Sequence, residues 1–291
     1  MKNAFGVHRS IEFIEAHGGV TFPMTILYPV SPRDDNEENK CSSTNPMRLV
    51  LISHGSGGSP ALYQTLASRL AGGGFLVGVP EHPFNNRSDN SQAGTLANLI
   101  NRPKHIRAAA DWFFKNQALS PFLKPDSFAL IGHSMGGCTA LIMAGGIPAC
   151  PSGDTLGRDA FQIDTEPDRR VKSLVLLAPA TTCFWSKGAL DRVNVPILLL
   201  VGEKDKHTSY DRHAKWVLEG VPDRSKIQYG IIENAGHYSF LDPFPKHLVK
   251  ESFPPSQDPP GFDRTVFHDD LGFVVLDFLR RTLTETEERR S

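Results

Sequence analysis

The chain has no stretch of 18 consecutive apolar residues, which excludes a membrane-spanning helix on sequence grounds. It also has no excess of either charge. Thirty-one basic residues face 32 acidic ones, a net charge of -1. Nucleic acid or an anionic membrane as the main partner would favour a basic surface, so neither is expected. Cysteine is scarce: Cys41, Cys138, Cys150 and Cys183 in 291 residues, with no spacing typical of zinc or redox motifs. No His/Cys/Asp/Glu cluster has ligand spacing, so no metal and no cofactor are expected. The four thiols are read as free, as in a reducing cytoplasm, although Cys150 and Cys183 both fall in loops and a disulfide between them stays open. Residues 1–10 contain no apolar core of a secretory leader, which adds to the expectation of a cytoplasmic protein. A Walker lysine and a Gly-x-Gly-x-x-Gly run are both missing, so phosphate-loop and dinucleotide readings are poor.

What is present is an alternation. Two β-rich runs at 10–15 and 20–28 flank Gly18-Gly19, the signature of a hairpin. From residue 49 onward, short apolar runs alternate with helical spacing. Strands are expected at 49–53, 75–79, 128–131, 171–177, 197–201 and 227–232. Helices are expected at 61–70, 103–116, 135–144, 210–218 and 270–283. Such alternation implies a mostly parallel central sheet of about eight strands flanked by helices. The whole chain, 1–291, is read as one α/β domain. Three connections, at 84–102, 145–170 and 242–267, are long enough to form a small lid.

Gly132-His133-Ser134-Met135-Gly136 fits Gly-x-Ser-x-Gly. The pentapeptide alone is weak evidence. Its setting is better: an apolar strand runs into it and a small-residue helix runs out, as in a nucleophile elbow. A serine hydroxyl is a poor nucleophile at neutral pH, so it needs a base and a third group to orient that base. Two later strand ends supply them. One strand runs into Gly202-Glu203-Lys204-Asp205, the other into Glu233-Asn234-Ala235-Gly236-His237. His237 is the candidate base, because it alone among the 11 histidines follows a strand after the acid. Asp205 is the candidate acid, preferred to Glu203 and Glu233 because the turn carries it clear of the strand end.

An oxyanion needs two backbone N–H donors. Met135, just after the serine, is one candidate. Ser56, with Gly55 beside it in His54-Gly55-Ser56-Gly57-Gly58, is the other. Phe184 and Trp185, after a strand end, are expected to form an aromatic wall for substrate.

With these pieces in view the chain resembles the α/β-hydrolase superfamily. Within it, the chain looks most like the predicted dienelactone-hydrolase group, near platelet-activating-factor acetylhydrolases and bacterial cutinase-like esterases. The stretches that carry the likeness are His54-Gly55-Ser56-Gly57-Gly58, Asn101-Arg102-Pro103, the elbow at 132–137, Leu177-Ala178-Pro179-Ala180, Gly202-Glu203-Lys204-Asp205 and Ala235-Gly236-His237-Tyr238-Ser239-Phe240. Ser134 departs from true dienelactone hydrolases, which use cysteine, and from dehalogenase and epoxide-hydrolase relatives, which use aspartate. The resemblance implies a serine esterase acting on a small-molecule ester, lactone or thioester. An acyltransferase or polyketide-type lactone-processing enzyme, and a non-catalytic binding protein on the same fold, are the alternatives.

Overall fold

The computed structural model of the chain describes residues 6–16, 18–30, 46–150, 161–163 and 165–288. Eight strands form its main sheet: β1 (Gly6–Ala16), β2 (Val20–Val30), β3 (Met47–Ser53), β4 (Phe75–Pro80), β5 (Leu123–His133), β6 (Val171–Leu177), β7 (Ile197–Gly202) and β8 (Ile227–Ile232). Their spatial order is β1-β2-β4-β3-β5-β6-β7-β8. Only β2 runs against the others, pairing antiparallel with β1 on one side and β4 on the other. Gly18 and Gly19, at φ +95° and +77°, make the turn that returns β1 into β2. This eight-stranded, mostly parallel sheet with an N-terminal antiparallel hairpin is that of the α/β-hydrolase fold.

The inner strands are buried on both faces, which is why their sequences read as unbroken apolar runs. Alternate residues serve two cores. Leu49, Leu51, Leu130 and Leu174 pack with α2 (Leu96–Lys115), α3 (Met135–Met143) and α4 (Ala214–Gly220). Val50, Ile52, Ile131 and Val175 pack with α1 (Gln64–Gly72) and α5 (Arg264–Glu288). Covered on both sides, the sheet is a rigid platform, and β3, β5, β6, β7 and β8 run parallel so that their carboxyl ends lie together. Among the described residues, no helix is long and apolar enough to cross a membrane.

Two helices begin earlier than their sequences suggest. Pro103 reads as a first-turn residue, yet α2 starts at Leu96 and carries Pro103 inside it. Thr95 is the true N-cap, its hydroxyl accepting the Asn98 N–H at 3.2 Å. The proline removes one backbone donor but does not stop the helix. The extra turns matter, because they carry Asn98 and Arg102 into the molecule's interior. Similarly, α5 begins at Arg264, six residues before the apolar periodicity becomes clear. The connection at 145–170 lies partly outside the described residues, and so does Cys41.

Candidate active site

β5 ends at His133, and α3 begins at Met135, leaving Ser134 alone at the corner. Its backbone, at φ 54° and ψ -117°, has the mirror-image turn conformation that glycine usually occupies. Neighbours hold it there: Ser134 N–H donates to Leu177 O at 3.0 Å, and Ala180 N–H donates to Ser134 O at 2.9 Å. The flanking glycines are steric necessities. A Cβ on Gly132 would overlap the carbonyl of Gly136, and one on Gly136 would overlap the carbonyl of Ser53. The elbow therefore lies directly against the end of β3.

Three side chains meet at this corner. The Ser134 hydroxyl stands 3.0 Å from His237 Nε2, and His237 Nδ1 stands 2.8 Å from Asp205 Oδ2. Asp205 accepts only, so Nδ1 carries the proton and Nε2 presents its lone pair to the serine. Asp205 is anchored through its other oxygen as well. Oδ1 accepts the N–H groups of His207 and Thr208, both at 2.8 Å, and the Thr208 hydroxyl lies 2.7 Å from Oδ2. Burial pushes the Asp205 carboxyl upward, but its bonds with His237 and Thr208 more than offset this and hold it below the usual carboxylate range. Asp205 and His237 are buried, whereas Ser134 is half-buried. Glu203 and Glu233 face solvent, and Glu203 accepts the Asn234 N–H at 2.9 Å instead.

Beneath His237 runs a second chain that its sequence does not advertise. His133 Nε2 lies 3.1 Å from His237 O, and a carbonyl can only accept, so Nε2 is the protonated nitrogen. His133 Nδ1 then accepts from Tyr63 Oη at 2.9 Å, and Tyr63 Oη accepts the Gly55 N–H at 3.1 Å. Burial, followed by the electrostatic effect of the adjacent His237 ring, lowers the His133 pKa to about 3, so this ring stays neutral. The relay locks the 54–58 loop to the backbone that carries His237.

That relay divides the oxyanion candidates. Gly55 spends its N–H on Tyr63, so Gly55 is a wall of the cleft and not a donor to it. Among the described residues, the N–H groups of Ser56 and Met135 have no backbone or side-chain acceptor. Met135 is the first residue of α3, where helical geometry leaves the N–H free.

Both Ser134 and His237 open on a cleft of about 560 Å³. Tyr63, Leu62, Tyr238, Leu241, Phe253 and Pro255 supply its apolar lining. Phe184 and Trp185 do not line it, contrary to the expectation from sequence. A short 3-10 turn, Thr182–Phe184, rolls Phe184 inward until it is 2% exposed and packed beside Gly146. Trp185 follows that turn and is half-buried away from the cleft. Cys183, on the same turn, has its sulfur 3.0 Å from that of Cys138, and both are free thiols. The side chain of Cys150 lies outside the described residues. A larger cavity, about 910 Å³, sits at the opposite ends of the strands beside Val171, Pro196 and Ile227, remote from Ser134. Among the described residues, no three His, Cys, Asp or Glu side chains are grouped to hold a metal ion.

Residues 2–109 match the family model described as platelet-activating factor acetylhydrolase, isoform II. The chain is similar to that family. The matched segment runs from the first strand into α2. It contains the 54–58 loop, Tyr63 and Arg102, and it stops before Ser134. The match supports an esterase-type hydrolase, in line with the likeness read from the motifs. No curated protein matches the chain.

Proposed function

We propose that this chain is a serine hydrolase that cleaves a carboxylic ester, lactone or thioester through an acyl-serine intermediate. The observation that carries this reading is the unbroken line from Ser134 Oγ through His237 to Asp205, opening on a cleft beside two unengaged N–H donors. In the first half-reaction Ser134 Oγ attacks the substrate carbonyl carbon while His237 Nε2 takes its proton. The carboxylate of Asp205 keeps Nδ1–H in place and stabilises the imidazolium that forms. The N–H groups of Ser56 and Met135 receive the negative oxygen of the tetrahedral intermediate. Collapse returns the proton from Nε2 to the leaving alcohol or thiol. Water, deprotonated by the same nitrogen, then releases the acid from Ser134.

The chain acts as one domain in this reading. The loop at 242–267, which brings Phe253 and Pro255 to the cleft, is its specificity wall. The test is labelling with a fluorophosphonate probe, together with hydrolysis of p-nitrophenyl butyrate. Wild-type protein is expected to do both. Ser134→Ala is expected to do neither, with turnover down by about 10³-fold or more, because nucleophile and base act as a unit. Labelling or turnover that survives in Ser134→Ala overturns the assignment. Product analysis with an added alcohol acceptor separates hydrolysis from acyl transfer.

A further inference from the structure

A cation lies buried directly behind the oxyanion loop. Arg102 is wholly inaccessible to solvent, and among the described residues no carboxylate pairs with it. Removing a guanidinium from water without a counter-charge is costly, and an apolar side chain would fill the space more cheaply. Its hydrogen bonds say where that cost is offset. Nε donates to Thr139 Oγ1 at 3.0 Å, Nη1 to Asn85 Oδ1 at 2.6 Å, and Nη2 to Ser53 Oγ at 3.2 Å and to the carbonyl of His54.

Three of these four contacts, to Thr139, Asn85 and the His54 carbonyl, lead to one of the two oxyanion donors. Thr139 Oγ1 donates in turn to Met135 O at 3.1 Å, which fixes the first turn of α3 and with it the Met135 N–H. Asn85 Oδ1 is occupied by Arg102 and by Asn98 Nδ2 at 3.1 Å, so its amide N–H₂ must face the other way. There it donates to Ser56 Oγ at 2.9 Å. The His54 peptide, held by Arg102, leads into the loop itself. His54 Nε2 accepts the His82 N–H at 3.0 Å, so Nδ1 is the protonated nitrogen, and it donates to Gly55 O at 2.7 Å. Gly55 O belongs to the same peptide unit as the Ser56 N–H. A donor on that oxygen polarises the unit and strengthens the N–H on its far side. The rings packed around this floor are neutral: burial first, then the charge of Arg102, lowers His54 to about 3 and His105 to about 4, and drives His82 down in the same direction. Burial also lowers Arg102, to about 9, which leaves it charged at neutral pH.

We propose that Arg102 is a positioning residue that sets both oxyanion donors, Ser56 N–H and Met135 N–H, from beneath. It touches neither substrate nor reacting atoms, and its action rests on the hydrolase reading given above.

The test is steady-state hydrolysis of p-nitrophenyl butyrate by wild type, Arg102→Met and Arg102→Lys. It is read beside inhibition by an alkyl trifluoromethyl ketone, which forms a tetrahedral adduct with an active-site serine. Arg102→Met, shown folded by thermal unfolding, is expected to lose about 10²-fold in kcat, as for an oxyanion donor, with KM within about threefold. The ketone should weaken by a similar factor, and Arg102→Lys should recover part of both. A merely structural arginine would lower the melting temperature and leave these quantities in place. That result, or a loss confined to KM, overturns the inference. If Arg102→Met does not fold, Asn85→Ala and Thr139→Val decide. Each cuts one strut and is expected to lower kcat by about tenfold at constant KM. Unchanged kcat in both overturns the proposal. A wild-type chain that hydrolyses no ester and takes no probe removes the hydrolase reading and this inference together. Wild-type activity beside unaltered variants removes the inference alone.

Discussion

Ser134 is held in a backbone conformation that its own side chain disfavours, and this can be measured without any turnover. At φ 54° and ψ -117°, its Cβ is crowded against the backbone in a region that glycine visits freely. Strain of this kind costs an L-residue about 1–3 kcal/mol. Replacing Ser134 by Ala keeps the Cβ and the strain. Replacing it by Gly removes both. Each variant loses the 3.0 Å hydrogen bond to His237, so that term cancels between them. What opposes glycine is the greater freedom of its unfolded chain, about 0.5–1 kcal/mol. Ser134→Gly should therefore be more stable than Ser134→Ala by about 1 kcal/mol. At about 2.1 cal/mol/K per residue, 291 residues unfold with about 0.6 kcal/mol/K, so the expected gain in melting temperature is about 2 °C. Urea titration followed by far-UV circular dichroism gives the free-energy difference, and a thermal scan gives the shift. If Ser134→Gly proves equal to or less stable than Ser134→Ala, the elbow is not strained in the way argued. The rigidity of Ser134 would then need another source.

Asp205→Asn should lower kcat by about 10²–10⁴-fold, because it disturbs the tautomer that faces Ser134, while Glu203→Gln stays within about twofold. The reverse order would mean that the wrong carboxylate has been identified. The rate of p-nitrophenyl ester hydrolysis should peak at acetyl to butyryl and fall beyond about six to eight carbons, since at about 0.8 kcal/mol per buried methylene a long channel would show a steady climb instead. In the same assay Phe253→Ala should raise KM more than it lowers kcat, and Trp185→Ala, outside the cleft, should change neither by more than about twofold. Stability should fall between pH 6.5 and 4. His54, His105 and His133 are held at about 3, 4 and 3 in the folded chain, whereas the unfolded chain binds those protons below 6.5. Each group then contributes a loss of about 1.4 kcal/mol per pH unit, and a urea midpoint that is flat from pH 7 to 5 would contradict their burial as neutral rings.

The parts of this molecule that its sequence discloses are those set by local pattern. β6 and β8 fall on the apolar runs themselves, at Val171–Leu177 and Ile227–Ile232. Ser134, Asp205 and His237 could be nominated because each follows a strand, and parallel strands deliver their ends to one edge of the sheet. The hidden parts depend on which strand lies beside which, and in what register. β3 pairs with β5 so that Ser53 stands opposite Gly132. That single register puts the 54–58 loop against the elbow, Gly55 over His133, and the Ser53 and His54 carbonyls against Gly136. Given the register, Tyr63 can bridge Gly55 and His133 although 70 residues separate Tyr63 from His133. Arg102 can likewise reach Ser53 and Thr139, which flank it by 49 and 37 residues. Pro103 conceals the helical turn that carries Arg102, because proline reads as a helix start. Phe184 and Trp185 mislead for a related reason: composition marks them as aromatic and near a strand end, but the direction in which a 3-10 turn rolls them is a property of the packing it meets. The proposed nucleophile and its base are thus a matter of local grammar. The precision of the proposed oxyanion site is a matter of long-range register, carried by side chains that no short motif contains.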